Sequence, residues 1–233
     1  MHHIAERILY EDNHILAINK LIGEIVQGDK TGDEPMSETL KYFIKERDAK
    51  PGNVFMGVPH RLDRPVSGVV LFAKTSKALS RLNELFRTGD VHKTYWALVK
   101  NRPPKDEDTL THYLTRNEKQ NKSTAHSKPV PNAKEAKLVY KLRASGDTYH
   151  LLEVRLLTGR HHQIRSQLAA IGCPIKGDLK YGAPRSNPDG GISLHARSAE
   201  LVHPVKKELL KVVAPVPNDK LWQWFEAKLT EMN

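Results

Sequence analysis

The chain has one cysteine, Cys173, among 233 residues, which excludes a disulfide framework and a cysteine-rich zinc site and is compatible with a reducing cytoplasm. No apolar run approaches the roughly 18 residues of a membrane span, and the N-terminus lacks the basic-then-apolar succession of a signal peptide. No membrane partner is expected. Neither a GxGxxG nor a P-loop pattern is present, so a nucleotide cofactor has no support. Val66-Ser67-Gly68 is not the GxSxG elbow of hydrolases. Acidic residues are in deficit: 27 Asp+Glu stand against 37 Lys+Arg, a formal net charge of +10. Such an excess is the footprint of a polyanion binder, with nucleic acid as the leading partner.

What is present is enough for a sizeable core, at 39% hydrophobic residues. Ile8-Leu9-Tyr10 and Ile15 to Lys20, split by Glu11-Asp12-Asn13, read as a hairpin opening the fold. A helix capped by Ser37 and ending before Pro51-Gly52 follows, then a buried strand after Ser67, then a helix from Ser76 with Gly89 as its stop. Strand patterns recur at His92–Val99, Ala136–Arg143, Tyr149–Leu157, Ile192–Val202 and Leu209–Val213. Helices are expected from near His161 to Gly172 and from Asn218 onward. Residues 117–134 are polar and are expected to form a long surface loop or a loosely held hairpin. Helices scattered among strands without βαβ alternation give an α+β class with a mixed, largely antiparallel sheet and flanking helices. No repeat or composition break divides the chain, so 1–233 is expected to be one domain.

The stretch His60-Arg61-Leu62-Asp63-Arg64-Pro65-Val66-Ser67-Gly68, followed by Val69 to Lys74, carries the most chemistry. It sets one carboxylate between two arginines in a turn ahead of a buried strand. The flanking cations favour the ionised form of Asp63, which suits a nucleophile or electrostatic stabiliser better than a proton donor. The plainer alternative is a turn-capping Asp63 paired with Arg61 or Arg64.

A second basic cluster, Thr158-Gly159-Arg160-His161-His162-Gln163-Ile164-Arg165, sits where a strand becomes a helix. It would present Arg160, His161 and His162 at a helix start, an anion site. Arg165 would point elsewhere around the helix; facing inward it needs a carboxylate, for which Asp63 is the candidate. Adjacent histidines on a helix diverge by about 100° and do not chelate one ion, so no metal is expected. Tyr95, in Lys93-Thr94-Tyr95-Trp96, is either core or a ring placed to stack on an extruded base.

Taken jointly, these segments resemble the RluA-type RNA pseudouridine synthases. The resemblance runs through Ile8–Lys20, His60–Gly68, Lys93-Thr94-Tyr95, Thr158–Arg165, Gly177-Asp178, Tyr181-Gly182 and Leu194-His195-Ala196. It implies an isomerase that breaks the uridine N-glycosidic bond, turns the uracil and rejoins it through carbon, without metal or organic cofactor. Asp63 would be the catalytic carboxylate, acting on base or sugar. Tyr95 would lie on the flipped uracil and receive the proton from the base carbon, and Arg165 would pair with Asp63. Arg61 would enter the RNA stack and Leu194 would touch the base. His60, Lys93, Arg160, His161, His162 and Gln163 complete the expected RNA-contacting set. The sequence departs from the pattern at Leu21, where proline is usual, and at Val66, where threonine is usual. No S4-like RNA-binding module is expected, so target selection would fall to the catalytic domain, including residues 117–134. Transfer RNA and ribosomal RNA remain open as substrates, and a monomer is expected because no self-association motif is seen. The competing readings are an RNA-binding or assembly factor that has lost catalysis on the same fold, and a base-releasing hydrolase.

Overall fold

The computed structural model describes residues 4–232, which divide into two compact units. The first comprises the chain through His92 together with Ala196–Pro215; the second comprises Lys93–His195 and the segment from Val216 onward.

In the first unit a short helix, α1 (Ile4–Arg7), leads into β1 (Ile8–Glu11) and β2 (Ile15–Lys20), the expected antiparallel hairpin. β2 pairs antiparallel with β3 (Ser67–Ala73), in register from Ile15↔Ala73 to Lys20↔Gly68. Between them lies α2 (Met36–Arg47). It starts one residue before the expected Ser37 cap because no side-chain cap is needed: Ile25 and Val26 carbonyls accept the Met36 and Ser37 amides. α3 (Ser76–Thr88) ends at Gly89 with φ 83°, the left-handed stop read from the sequence. Its apolar face packs Ala78 and Leu82 on Ile15, Ala17, Val69 and Leu71. The strand β9 (Leu194–Val202) enters this unit at Ala196 and pairs with β10 (Leu209–Val213). Gly68, at φ 116°, lies so close to Ala196 that a Cβ would sit 2.3 Å from its carbonyl oxygen. Only glycine fits there.

The second unit is an antiparallel sheet in the order β4 (His92–Val99), β8 (His150–Leu156), β7 (Lys134–Ser145), β5 (Glu107–Asn117), β6 (Lys122–His126). Residues 117–134, expected as a loop or loose hairpin, belong largely to a β5–β6 hairpin with Ser123 buried. α5 (Lys220–Glu231) lays Trp222, Phe225 and Leu229 on Trp96, Leu98 and Leu151. α4 (Gln163–Ala170) is shorter than expected, because His162 adopts a left-handed backbone, φ 49°, just before it. A 3-10 turn, Leu179–Tyr181, follows. No helix among the described residues is long and apolar enough to cross a membrane.

Candidate active site

The Asp63 turn is built from behind. Its Val66 amide donates to the Asp63 carbonyl across 3.0 Å, closing a tight turn through Arg64 and Pro65. Under it lies Lys20, the last residue of β2 and fully buried. Its ammonium donates to the carbonyls of Val66 at 2.6 Å, Leu21 at 3.0 Å and Arg64 at 3.1 Å. Three N–H groups meet three carbonyls, so the buried cation is satisfied by backbone alone. Burial pushes Lys20 down to about 8, opposed by the attraction of Glu24 and Asp63. Lys20 is therefore a cation behind Asp63, a residue to which sequence reasoning gave no role.

Arg64, expected to flank Asp63 electrostatically, faces another way. Its Nη1 donates to Asp33 at 2.6 Å and its Nη2 to Thr31 at 2.8 Å, tying the 29–33 loop to the turn. Arg61 is exposed. His60 accepts the Leu71 amide at Nε2, 2.9 Å, and stacks on Phe86 at 4.5 Å between centroids, which fastens the start of the turn to β3 and α3.

In the second unit Arg165 points inward, as expected, and is 5% exposed. One carboxylate on its fork is Asp178: Nε to Oδ2 is 2.7 Å and Nη2 to Oδ1 is 2.8 Å. Sequence reasoning quoted Gly177-Asp178 without giving Asp178 this role, though the demand of a buried arginine for a carboxylate was the signal that could have found it. Nη1 donates to Nε2 of His162 at 3.1 Å. Because arginine only donates, Nε2 must accept, so the His162 proton sits on Nδ1 and is given to the Tyr181 hydroxyl oxygen at 2.8 Å. That oxygen also accepts the Ser123 amide at 2.8 Å. Burial first, then the Arg165 charge, push His162 down to about 2, so it is neutral.

His161 stacks flat on His162 at 3.8 Å and binds Ser123 Oγ through Nδ1 and Asn121 Oδ1 through Nε2. Gln163 is buried; its Oε1 accepts from Thr158 Oγ1 and the Arg160 amide, and its Nε2 donates to the Lys137 carbonyl. Arg160 is exposed, with Nε on the Glu135 carbonyl. The structure thus gives His161, His162 and Gln163 internal bonds that hold the 158–165 corner, and it leaves Arg160 at the surface. Tyr95 is 5% exposed on β4 opposite Val154, with the Lys93 ammonium 5.9 Å from its ring centroid. Leu194, opening β9, is buried.

Residues 14–170, which include the latched Asp63 turn, Tyr95 and Arg165, match a family model described as RNA pseudouridylate synthase. The chain belongs to the RluA-type RNA pseudouridine synthase family. It is 35% identical over 229 residues to ribosomal large subunit pseudouridine synthase D of Xylella fastidiosa, covering 91% of this chain and 66% of that protein. It is 31% identical to synthase C of Vibrio parahaemolyticus, covering 91% and 66%. The chain thus spans about two thirds of the length of these relatives. Among solved structures, human RNA pseudouridylate synthase domain containing 4 superposes with a TM-score of 0.80 at 25% identity, over 97% of this chain and 94% of that one. The largely antiparallel sheet with flanking helices is therefore the family's fold, and the family is one of isomerases.

Proposed function

We propose that this protein isomerises specific uridines of ribosomal or transfer RNA to pseudouridine, with Asp63 as the catalytic carboxylate. The observation that carries this reading is the latch: a buried ammonium fixes both sides of the turn that presents Asp63, within a chain of this family. A base inside an RNA stack is out of reach, so the uridine is first extruded. Arg61 fills the gap it leaves. The uracil settles between Tyr95 and Leu194, and Asp63, paired with Arg165, attacks base or sugar as the C1′–N1 bond breaks. The uracil turns, C5 bonds to C1′ as the bond to Asp63 breaks and frees the carboxylate, Tyr95 takes the C5 proton, and N1 ends protonated. Asp178 and His162 act by holding Arg165 in one orientation. Arg160, Lys93 and the basic surface hold the phosphate backbone.

On this reading residues 1–233 work as one catalytic domain, monomeric and cytoplasmic, without metal, nucleotide or other cofactor. The ribosomal substrates in the names of its bacterial relatives favour ribosomal RNA. The test is tritium release from 5-tritiated uridine transcripts of both RNA classes, wild type against Asp63→Asn. Release by wild type that vanishes in the variant, with the RNA chain intact and still bound, supports the assignment. Free uracil, or equal release by the variant, overturns it.

A further inference from the structure

A groove of about 530 Å³ opens between β6, α4 and the 179–182 turn, within the second unit. We infer that it is a second RNA subsite, holding backbone phosphate and ribose of the substrate beyond the nucleotide that reacts; this rests on the proposed RNA substrate. Four observations carry it.

The rim is cationic. Lys122 and Lys180 line it, and no carboxylate does. Lys180 is anchored at its ammonium by the carbonyls of Gln120 at 3.3 Å and Asn121 at 3.0 Å, while Lys122 lies 5.4 Å from the Tyr181 ring centroid and has no ion pair among the described residues. The positive field reaches inward: Lys180 and Arg116 both act on His162 against its protonation.

The groove also runs along a sheet edge. β6 ends the order of its sheet. The Ser123 amide leaves that edge for Tyr181, and by strand alternation the Ala125 amide, two residues on, points the same way. An edge N–H beside two ammonium groups is a phosphate-binding combination.

The floor is small. Ala169, Ala170 and Gly182 leave room for backbone to approach, and Ser166 at its base directs its hydroxyl to the His162 and Gln163 carbonyls.

One wall is apolar and exposed. Leu179 is 58% exposed beside this floor, a surface suited to a ribose or base face. Phosphate on the lysines with sugar on Leu179 is what single-stranded or loop RNA supplies.

The test places a carboxylate in the groove without removing any bond. Ala170, exposed at the end of α4, becomes Glu in one variant and Gln in its control, alongside Lys122→Gln. Binding to a large-subunit ribosomal RNA fragment and a transfer RNA transcript is measured against salt, with kcat and KM from tritium release. Ala170→Glu is expected to weaken binding and raise KM about tenfold relative to Ala170→Gln, with kcat within twofold, and Lys122→Gln to reduce the salt slope by about 1. Equal affinity of the Glu and Gln variants for both RNAs overturns the subsite; turnover by wild type in that case leaves the proposed reaction standing. Should wild type turn over neither RNA while Ala170→Glu still loses affinity, the reaction fails and the subsite stands. If Ala170→Glu does not fold, an unchanged salt slope in Lys122→Gln overturns the subsite.

Discussion

Arg165 donates to Nε2 of His162 across 3.1 Å, a bond that only a neutral imidazole can accept. The chain on either side is continuous: Asp178 fixes the guanidinium, and Tyr181 fixes the far edge of the ring. An arginine so held cannot rotate without breaking its bonds to Asp178 and His162.

Acid is therefore expected to unfold the second unit through His162. Its folded value, about 2, lies below the ordinary 6.5, so below pH 6.5 the unfolded chain binds a proton that the folded one refuses. The stabilisation is complete above pH 6.5 and is lost progressively as pH falls toward the folded value, at about 1 kcal/mol per pH unit. Thermal melts from pH 7.5 to 4.5 check this, with His162→Gln showing the flatter dependence.

Asp178→Asn leaves the Arg165 charge buried with half its partner gone. A loss of about 3 kcal/mol is expected, because stranding one member of a buried pair costs more than the pair contributes. Urea denaturation measures it. Arg165→Lys, which keeps the charge but loses the planar fork, is expected to lower kcat by about a hundredfold with a smaller loss of stability.

Lys20→Met strands three backbone carbonyls under the Asp63 turn. About 2–4 kcal/mol of stability and at least tenfold in kcat are expected to go, with KM for RNA changed far less. In the wild type, with Lys20 pushed down to about 8, the amine above that pH has two N–H groups for three carbonyls. The kcat profile is accordingly expected to fall on its alkaline side near pH 8, and a flat alkaline side would refute the latch.

Tyr95→Phe keeps the ring and removes the hydroxyl. If Tyr95 takes the C5 proton, turnover falls about 10²–10⁴-fold while RNA affinity and melting temperature hold. Tyr95→Ala would add a packing loss, so the two variants separate stacking from proton transfer.

Arg61→Ala removes an exposed side chain that makes no bond to the fold among the described residues. The expected effect is on productive binding: KM rises and turnover at limiting RNA drops, while the melting temperature is unchanged.

Much of this architecture was legible because its signals are local. Gly89 stopped α3, alternation marked His92–Val99, and Pro65 with Gly68 bracketed the turn before a fully buried strand. The β5 strand escaped because only Leu110 and Leu114 of its eleven residues are buried, too few for a periodic signal in a polar context. The start of α4 was misplaced because a left-handed His162 looks helical in sequence. Partner choice was least legible. Arg165 is buried as expected, and Asp178, thirteen residues downstream and given no role from sequence, meets it through the 171–178 loop. Arg64 reads as a neighbour of Asp63 and bonds to Thr31 and Asp33, 33 and 31 residues upstream. Pairing across a fold follows burial and chain return, which spacing does not encode.

The Tyr181 hydroxyl oxygen takes a backbone amide from the β5–β6 hairpin on one side and the His162 ring on the other. A change in the hairpin that shifted Ser123 would be felt at Arg165 through three hydrogen bonds. Substitutions at Glu118 and Lys119, in the hairpin tip, leave these bonds untouched, whereas Asn121 holds His161 and the junction at Ser123 has to keep its place or the arginine be re-aligned at the same time. Transplanting a hairpin between relatives obeys the same constraint: the graft has to end beyond the tip and before Ser123.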